Sequence, residues 1–401
     1  MMNKFKSITI LLFFVCATAL GQASANHYTF ASKKIIPGAD QTDLYLSYLQ
    51  GKSIGMVVNQ TSVIGSMLTP GVDSLLKLGV NIKKIFGPEH GFRGNASNGA
   101  TVDNSIDPKT GLPVISLYGK HYKPTADDLN GIDLMIFDIQ DVGARFYTYI
   151  STLHYVMEAC AEHHIELLIL DRPNPNGFYI DGPVLDTAYR SFVGMDPVPI
   201  VHGMTIGEYA QMINGEGWLK NHIQCQLKII KAANYTHKDK YVLPINPSPN
   251  LNTPQSVLLY PGLCLFEGTT LSVGRGTLSP FTKVGHPLLK GIYDFNFTPI
   301  DIAGMSENPP LKGQVCYGIS LINNEFNPKS AGELNIGLLL HIYRVFPDKA
   351  NFFNAYFTKL AGTDLLRKQI EAGDNEQQIR ASWEPALSRY KKMRLKYLLY
   401  N

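Results

Sequence analysis

The sequence predicts a Rossmann-like, doubly wound, mostly parallel α/β sheet followed by a smaller α+β C-terminal domain. Two observations carry the prediction. From Ser53 to about Lys231, near-continuous apolar runs alternate with amphipathic segments, the β-α-β signature of a parallel sheet covered on both faces. Past Pro244 the alternation stops, so a second domain is expected there. The boundaries read from the chain are a leader at 1–25, the sheet domain at 26–240 and an auxiliary domain at 241–401. A length of 401 residues suits about two to three domains.

The predicted strands are Ile54–Val58, Ile82–Phe86, Val114–Leu117, Leu134–Asp138, Leu167–Leu170 and Leu227–Ile230. Each is too short for a buried helix, and most are near-continuous apolar runs. Helices are expected between them. Asp73–Leu78 follows a Pro-Gly turn, and Thr125–Leu129 follows Pro124. Tyr149–His163 carries Leu153, Val156, Met157 and Cys160 on one face. Thr205 and Glu208 form a capping-box pattern that opens Tyr209–Ile213. Pro244, Pro247, Pro249, Pro254 and Pro261, then Gly262, Gly268, Gly274 and Gly276, make residues 244–290 read as ordered irregular structure. Beyond them, Gln314–Ile322 reads as a strand, Glu333–Val345 as a helix, and Thr363–Leu399 as mostly helical.

A composition 45% hydrophobic and 17% charged excludes a disordered or fibrous chain. The N-terminus has the form of a secretory leader. Lys4 and Lys6 precede an apolar core from Ile8 to Leu20, and Ala23-Ser24-Ala25 is a small-x-small cleavage site. Cys16 lies inside that apolar core behind bulky Val15, which argues against a lipoprotein. The formal charge is +3 and falls to +1 once Lys4 and Lys6 leave with an acid-free leader. That balance offers no electrostatic case for nucleic acid. No later stretch approaches the ~20 apolar residues of a membrane span. A periplasmic or secreted protein without an integral membrane segment is expected. Cys160, Cys225, Cys264 and Cys316 are far apart with no Cys-x-x-Cys pair, so buried free thiols are expected, one disulfide being the alternative.

The strand ends carry the chemistry. Asn59-Gln60-Thr61 follows the first strand, and Gly-Pro-Glu89-His90-Gly-Phe-Arg93-Gly follows the second. Asp138-Ile139-Gln140-Asp141 and Gly143–Tyr149 follow the fourth, and Asp171-Arg172-Pro173-Asn174-Pro175 the fifth. In an open parallel sheet these groups converge on one rim, where ligands bind. Glu89, held in a Gly- and Pro-rich turn, is the first candidate for a catalytic carboxyl group; a loop carboxylate that ties down amides is the plainer reading. His90 orients it, shuttles a proton or fills the turn. Asp138, Gln140, Asp141, Arg145, Tyr147 and Tyr149 form a second cluster, in which tyrosines suit stacking on sugar C–H faces. Half-buried core is the plainer reading of that cluster. Glu267 and Arg275, the latter between Gly274 and Gly276, form a third, in which an arginine could grip a substrate carboxylate. No His-Glu-x-x-His, Gly-x-Ser-x-Gly or Gly-x-Gly-x-x-Gly motif occurs, so no metal, serine nucleophile or dinucleotide cofactor is expected.

Several long motifs in order resemble one family. They are 87–94, Phe137–Tyr149, Asp171–Pro175, Asp181–Leu185, His202–Glu208, Pro247–Asn250, Leu265–Thr277 and the terminal Tyr-Leu-Leu-Tyr at 397–400. Together they are similar to the NamZ-type exo-β-N-acetylmuramidases, a glycoside hydrolase family once known only as a domain of unknown function. The resemblance implies a Rossmann-like domain joined to an auxiliary domain, with the site in the cleft between them. It implies release of N-acetylmuramic acid from non-reducing ends of peptidoglycan-derived saccharides. It sets the family's catalytic Glu on Glu89 and its catalytic Tyr on Tyr147, with Tyr149 second. His286 stands where the family pattern suggests a smaller residue. With N-acetylmuramic acid as substrate, Arg275 is the expected partner of the lactyl carboxylate, with Arg93 or Arg145 behind it; Asn59, Gln140, Tyr149 and Glu267 complete the candidate binding set.

The residues leave the mechanism open. Glu89 could act with Tyr147 or with Asp138 as a second carboxylate. A lyase would use much the same groups, and an exported sugar-binding protein without turnover is the reading from another class. An esterase or amidase lacks its nucleophile motif.

Overall fold

The computed structural model of the protein describes residues 34–89, 91–93, 104–322 and 332–401. The leader at 1–25 and His90 lie outside the described residues.

Seven strands form the main sheet: β1 (Ile54–Val58), β2 (Ile82–Gly87), β3 (Ser105–Ile106), β4 (Pro113–Ser116), β5 (Leu134–Asp138), β6 (Glu166–Leu170) and β7 (Leu227–Ile230). Their order across the sheet is β7-β6-β5-β1-β2-β4-β3. All pairs are parallel except the edge pair of β3 with β4. Without that edge ribbon, the parallel strands run outward in both directions from the β1–β5 pair, the doubly wound order with its switch point there. β1 and β5 are buried along their whole length, which is why their sequences are apolar without alternation.

Three of the covering helices are α1 (Gly71–Lys77), α2 (Tyr149–Glu162) and α3 (Ile206–Gly215). At α3 the expected capping box forms in both directions, Thr205 accepting from the Glu208 amide and Glu208 accepting from the Thr205 amide. The proline-rich stretch departs from expectation. It contains a helix, α4 (Pro254–Leu263), which continues as a 3-10 turn over Cys264–Gly268. Pro254 stands in the first turn, where no backbone N–H is needed, and Thr253 caps the helix by accepting from the Ser256 amide. Here proline marks a helix start.

Beyond α4, Lys283–His286, Asn296–Phe297 and Cys316–Ser320 form a small antiparallel sheet. The helices α5 (Ile336–Val345) and α6 (Glu376–Arg394) follow. One hydrophobic core joins Phe137 and Ile169 of the main sheet to Phe266, Leu338 and Trp383. Residues 35–401 close into one compact unit. Cys160, Cys225, Cys264 and Cys316 are all buried free thiols. Among the described residues, no helix is long and apolar enough to cross a membrane.

Candidate active site

A cavity of about 870 Å³ opens at the carboxyl ends of β2, β4 and β5. Glu89 enters it two residues after β2, Tyr118 two residues after β4, and Phe146 and Thr148 from the loop between β5 and α2. The facing wall is built by the C-terminal half: Tyr260, Cys264 and Glu267 along α4 and its extension, then Arg275 and Tyr356. Sheet loops and C-terminal loops thus share one hollow.

Glu89 is half-buried. Thr148 Oγ1 donates to its Oε2 at 3.3 Å. Burial pushes the Tyr118 hydroxyl up, and the charge of Glu89 and a hydrogen bond to it push further the same way. A carboxyl group approached by two hydroxyls and open to a cavity can hold a proton and deliver it.

Arg275 stands on the opposite wall. Its Nε donates to Glu267 Oε1 at 2.5 Å, and its guanidinium lies 4.9 Å from the Phe281 ring centroid. Burial works against the charge, but Glu267 beside it outweighs burial and raises the group above its ordinary value. One terminal nitrogen, Nη1, is buried without a hydrogen-bond partner. The flanking glycines are required: Gly274 and Gly276 have φ of 80° and 77°, and a Cβ on Gly276 would come within 2.5 Å of the Ile300 carbonyl oxygen.

Of the predicted site residues, Glu89, Glu267 and Arg275 line this cavity. The expectation that the polar groups directly after β1, β5 and β6 also line it needs correcting. Asp138 is sealed in an ion pair with Arg172, at 2.6 Å. Gln140 donates to the carbonyls of Asp141 and Pro173, and Asn59 accepts from the Thr61 amide and hydroxyl. These groups meet, but as a buried polar network across the switch point. Arg145 is 0% exposed and donates to the carbonyls of Pro183, Val198, Leu360 and Ala361. It holds structure together and lies outside the cavity lining. Arg93 pairs with Asp107 and Asp73 outside the cavity lining.

Tyr147 and Tyr149 are also buried, and both hydroxyls donate to the Pro247 carbonyl, at 2.8 and 3.3 Å. Gln60 Nε2 reaches the same oxygen at 3.0 Å. The pair therefore anchors the Pro247 loop to the segment between β5 and the start of α2. Burial, then Tyr149, Asp141 and Glu89, push the Tyr147 hydroxyl well up.

The cavity also holds residues that sequence reasoning missed: Tyr118, Tyr122, Phe192 and Tyr356. Tyr118 and Tyr122 share the loop after β4, Phe192 and Tyr356 come from distant segments, and no local pattern marks them. His286 lines the cavity as well, accepts from the Leu288 amide at 3.1 Å and packs on Phe346.

The chain matches the family described as "Exo-beta-N-acetylmuramidase NamZ", its N-terminal part over residues 54–255 and its C-terminal part over 258–400. It is 38% identical over 414 residues to the peptidoglycan beta-N-acetylmuramidase NamZ of Bacillus subtilis (strain 168), covering 99% of each chain. Two crystal structures of DUF1343 family proteins from Bacteroides fragilis NCTC 9343 share the fold. One is 45% identical with a TM-score of 0.84 and the other 30% identical with 0.79; in each case 92% of this chain and 99% of that one are covered. With both parts matched in order along the same chain, this protein belongs to the exo-β-N-acetylmuramidase NamZ family.

Proposed function

We propose that this chain is an exo-acting glycoside hydrolase that removes N-acetylmuramic acid from the non-reducing ends of peptidoglycan fragments. The site is the cleft between the sheet domain and the C-terminal part, and the leader supports work in the periplasm or outside the cell. One observation carries the reading most: a half-buried carboxyl, Glu89, faces a cavity also lined by Arg275, one of whose buried nitrogens has no hydrogen-bond partner. N-acetylmuramic acid differs from N-acetylglucosamine by a lactyl carboxylate, and a guanidinium nitrogen is the natural partner for it.

In this reading Glu89 gives its proton to the glycosidic oxygen as the bond from that oxygen to C1 breaks. The leaving sugar keeps the electron pair, water adds its oxygen at C1, and the proton water loses restores the acid. Glycosidases commonly use two carboxyl groups. The acidic residues lining the cavity, among those described, are Glu89 and Glu267, so Glu267 replaces Asp138 as the candidate second carboxylate.

Purified protein with a chromogenic muramide tests this directly. Turnover that drops about 10³-fold in Glu89→Gln supports the reading. Tight binding without turnover would make the chain a sugar-binding protein, and undiminished turnover in the variant would remove Glu89 from the chemistry.

A further inference from the structure

An aromatic cluster stands against the acid. The rings of Tyr122 and Phe192 lie 4.1 Å apart, and Tyr118 sits 6.2 Å from Tyr122 and 6.1 Å from Phe192. Tyr155 of α2 backs the group, 6.4 Å from both Tyr122 and Phe192 and nearly parallel to each. Tyr118, Tyr122 and Phe192 line the cavity and are only half-buried. None of the four belongs to the hydrophobic core. Their apolar faces therefore contribute area to the cavity wall without packing the interior, an arrangement that marks a surface meant to be covered.

The cluster's position relative to the other groups is informative. Glu267 and Arg275 form one end of the hollow. Tyr356 lies within reach of both carboxylates, since burial and then Cys264, Glu267 and Glu89 all push its hydroxyl up. Next comes Glu89, hydrogen-bonded to Tyr118, and beyond Tyr118 lie Tyr122 and Phe192. Glu89 thus touches the aromatic group through Tyr118 and shares the cavity with the Glu267–Arg275 pair. An acid that protonates a glycosidic oxygen must stand between the two sugars which that oxygen joins. If the released sugar is held at the Arg275 end, the leaving sugar falls on the aromatic end. A pyranose with equatorial substituents presents a flat C–H face, which suits ring faces of this kind.

We infer that Tyr122 and Phe192, with Tyr118 beside the acid, form the platform on which the leaving sugar of the glycan rests. This deepens the function proposed above and rests on it. The platform selects for substrates with a saccharide on the leaving side, because contacts remote from the broken bond hold that bond against Glu89.

The test compares two substrates in the unsubstituted protein, Phe192→Ala and Phe192→Leu. One is a β-1,4-linked N-acetylmuramyl–N-acetylglucosamine disaccharide. The other is N-acetylmuramyl fluoride, whose leaving group is a single atom and cannot touch the platform. The ratio of kcat/KM for the disaccharide to that for the fluoride should fall about 10-fold in both variants, since leucine keeps apolar bulk but loses the ring face. A ratio that stays constant, whether both rates fall or neither does, overturns the platform. If the unsubstituted protein turns over neither substrate, it is the proposed function that fails. In that case calorimetric titration with chitobiose still reads the platform: binding about 10-fold weaker in the variants supports it, and equal or absent binding overturns it.

Discussion

Arg172 lays Nε and Nη2 on the two oxygens of Asp138, at 2.6 and 3.0 Å, with both side chains almost fully buried. The same guanidinium donates to the Val63 carbonyl at 3.0 Å. The pair thus ties the ends of β5 and β6 to the turn after β1, at the switch point where a doubly wound sheet would otherwise leave a crevice.

Removing one partner of a buried pair strands the other. Asp138→Asn should lower the free energy of unfolding by about 3–5 kcal/mol, read from urea denaturation. Per folded molecule, turnover of a muramide should stay within about threefold, because the carboxyl does not reach the cavity. A collapse of kcat with unchanged stability would return Asp138 to the chemistry.

Arg275 makes the opposite kind of prediction. Arg275→Ala should raise KM for muramyl substrates about 10- to 100-fold, the scale of a charge-assisted bond lost from a half-buried site. The effect on N-acetylglucosaminides, which have no carboxylate, should be much smaller. Steady-state kinetics on matched chromogenic substrates decide it, and equal losses on both would rule out carboxylate recognition by this residue.

Asp171 sets a dependence on pH. It accepts from the Tyr400 hydroxyl, the Thr205 hydroxyl and the Gly207 amide, each within 2.9 Å. Burial nevertheless pushes its carboxyl up from 3.8 to about 6, with those hydrogen bonds opposing. The folded state then binds the proton more tightly than the unfolded chain. The contribution to stability is fully present below pH 3.8 and is lost as pH rises through about 6. Denaturation of wild type and Asp171→Asn at pH 4, 5, 6 and 7 should show the wild-type advantage shrinking across that window. An advantage that grows with pH would mean that the hydrogen bonds outweigh burial.

Much of the scaffold was legible because its physics is local. A strand buried on both faces is apolar along most of its length, and β1, β5 and β6 announce themselves that way. The capping box joins Thr205 and Glu208, only three positions apart, so it can be read before any fold is known. Glu89 was legible because its glycines and proline exclude a helix. The helix α4 was not, since Pro254 signals a breaker or a first-turn residue according to where the chain enters.

The candidate site was legible only in part. Asp138 and Glu89 look alike as acids near strand ends, yet one is sealed and the other faces the cavity. The difference is made by Arg172, which lies 34 residues along the chain from Asp138. Tyr147 and Tyr149 looked like sugar-stacking rings, but Pro247, about a hundred residues away, takes both hydroxyls. The rings that do line the hollow sit in unremarkable loops. Tyr400 of the terminal motif likewise acquires its role only on reaching Asp171.

By itself, then, the sequence determined the doubly wound sheet, the turn that displays Glu89 and the glycine-flanked presentation of Arg275. Each follows from backbone preference and burial within a few residues. Which acids stay open, which arginine lines the cavity and which rings meet around it were decided by the tertiary structure alone. Burial and ion pairing depend on groups that only folding brings within hydrogen-bonding distance.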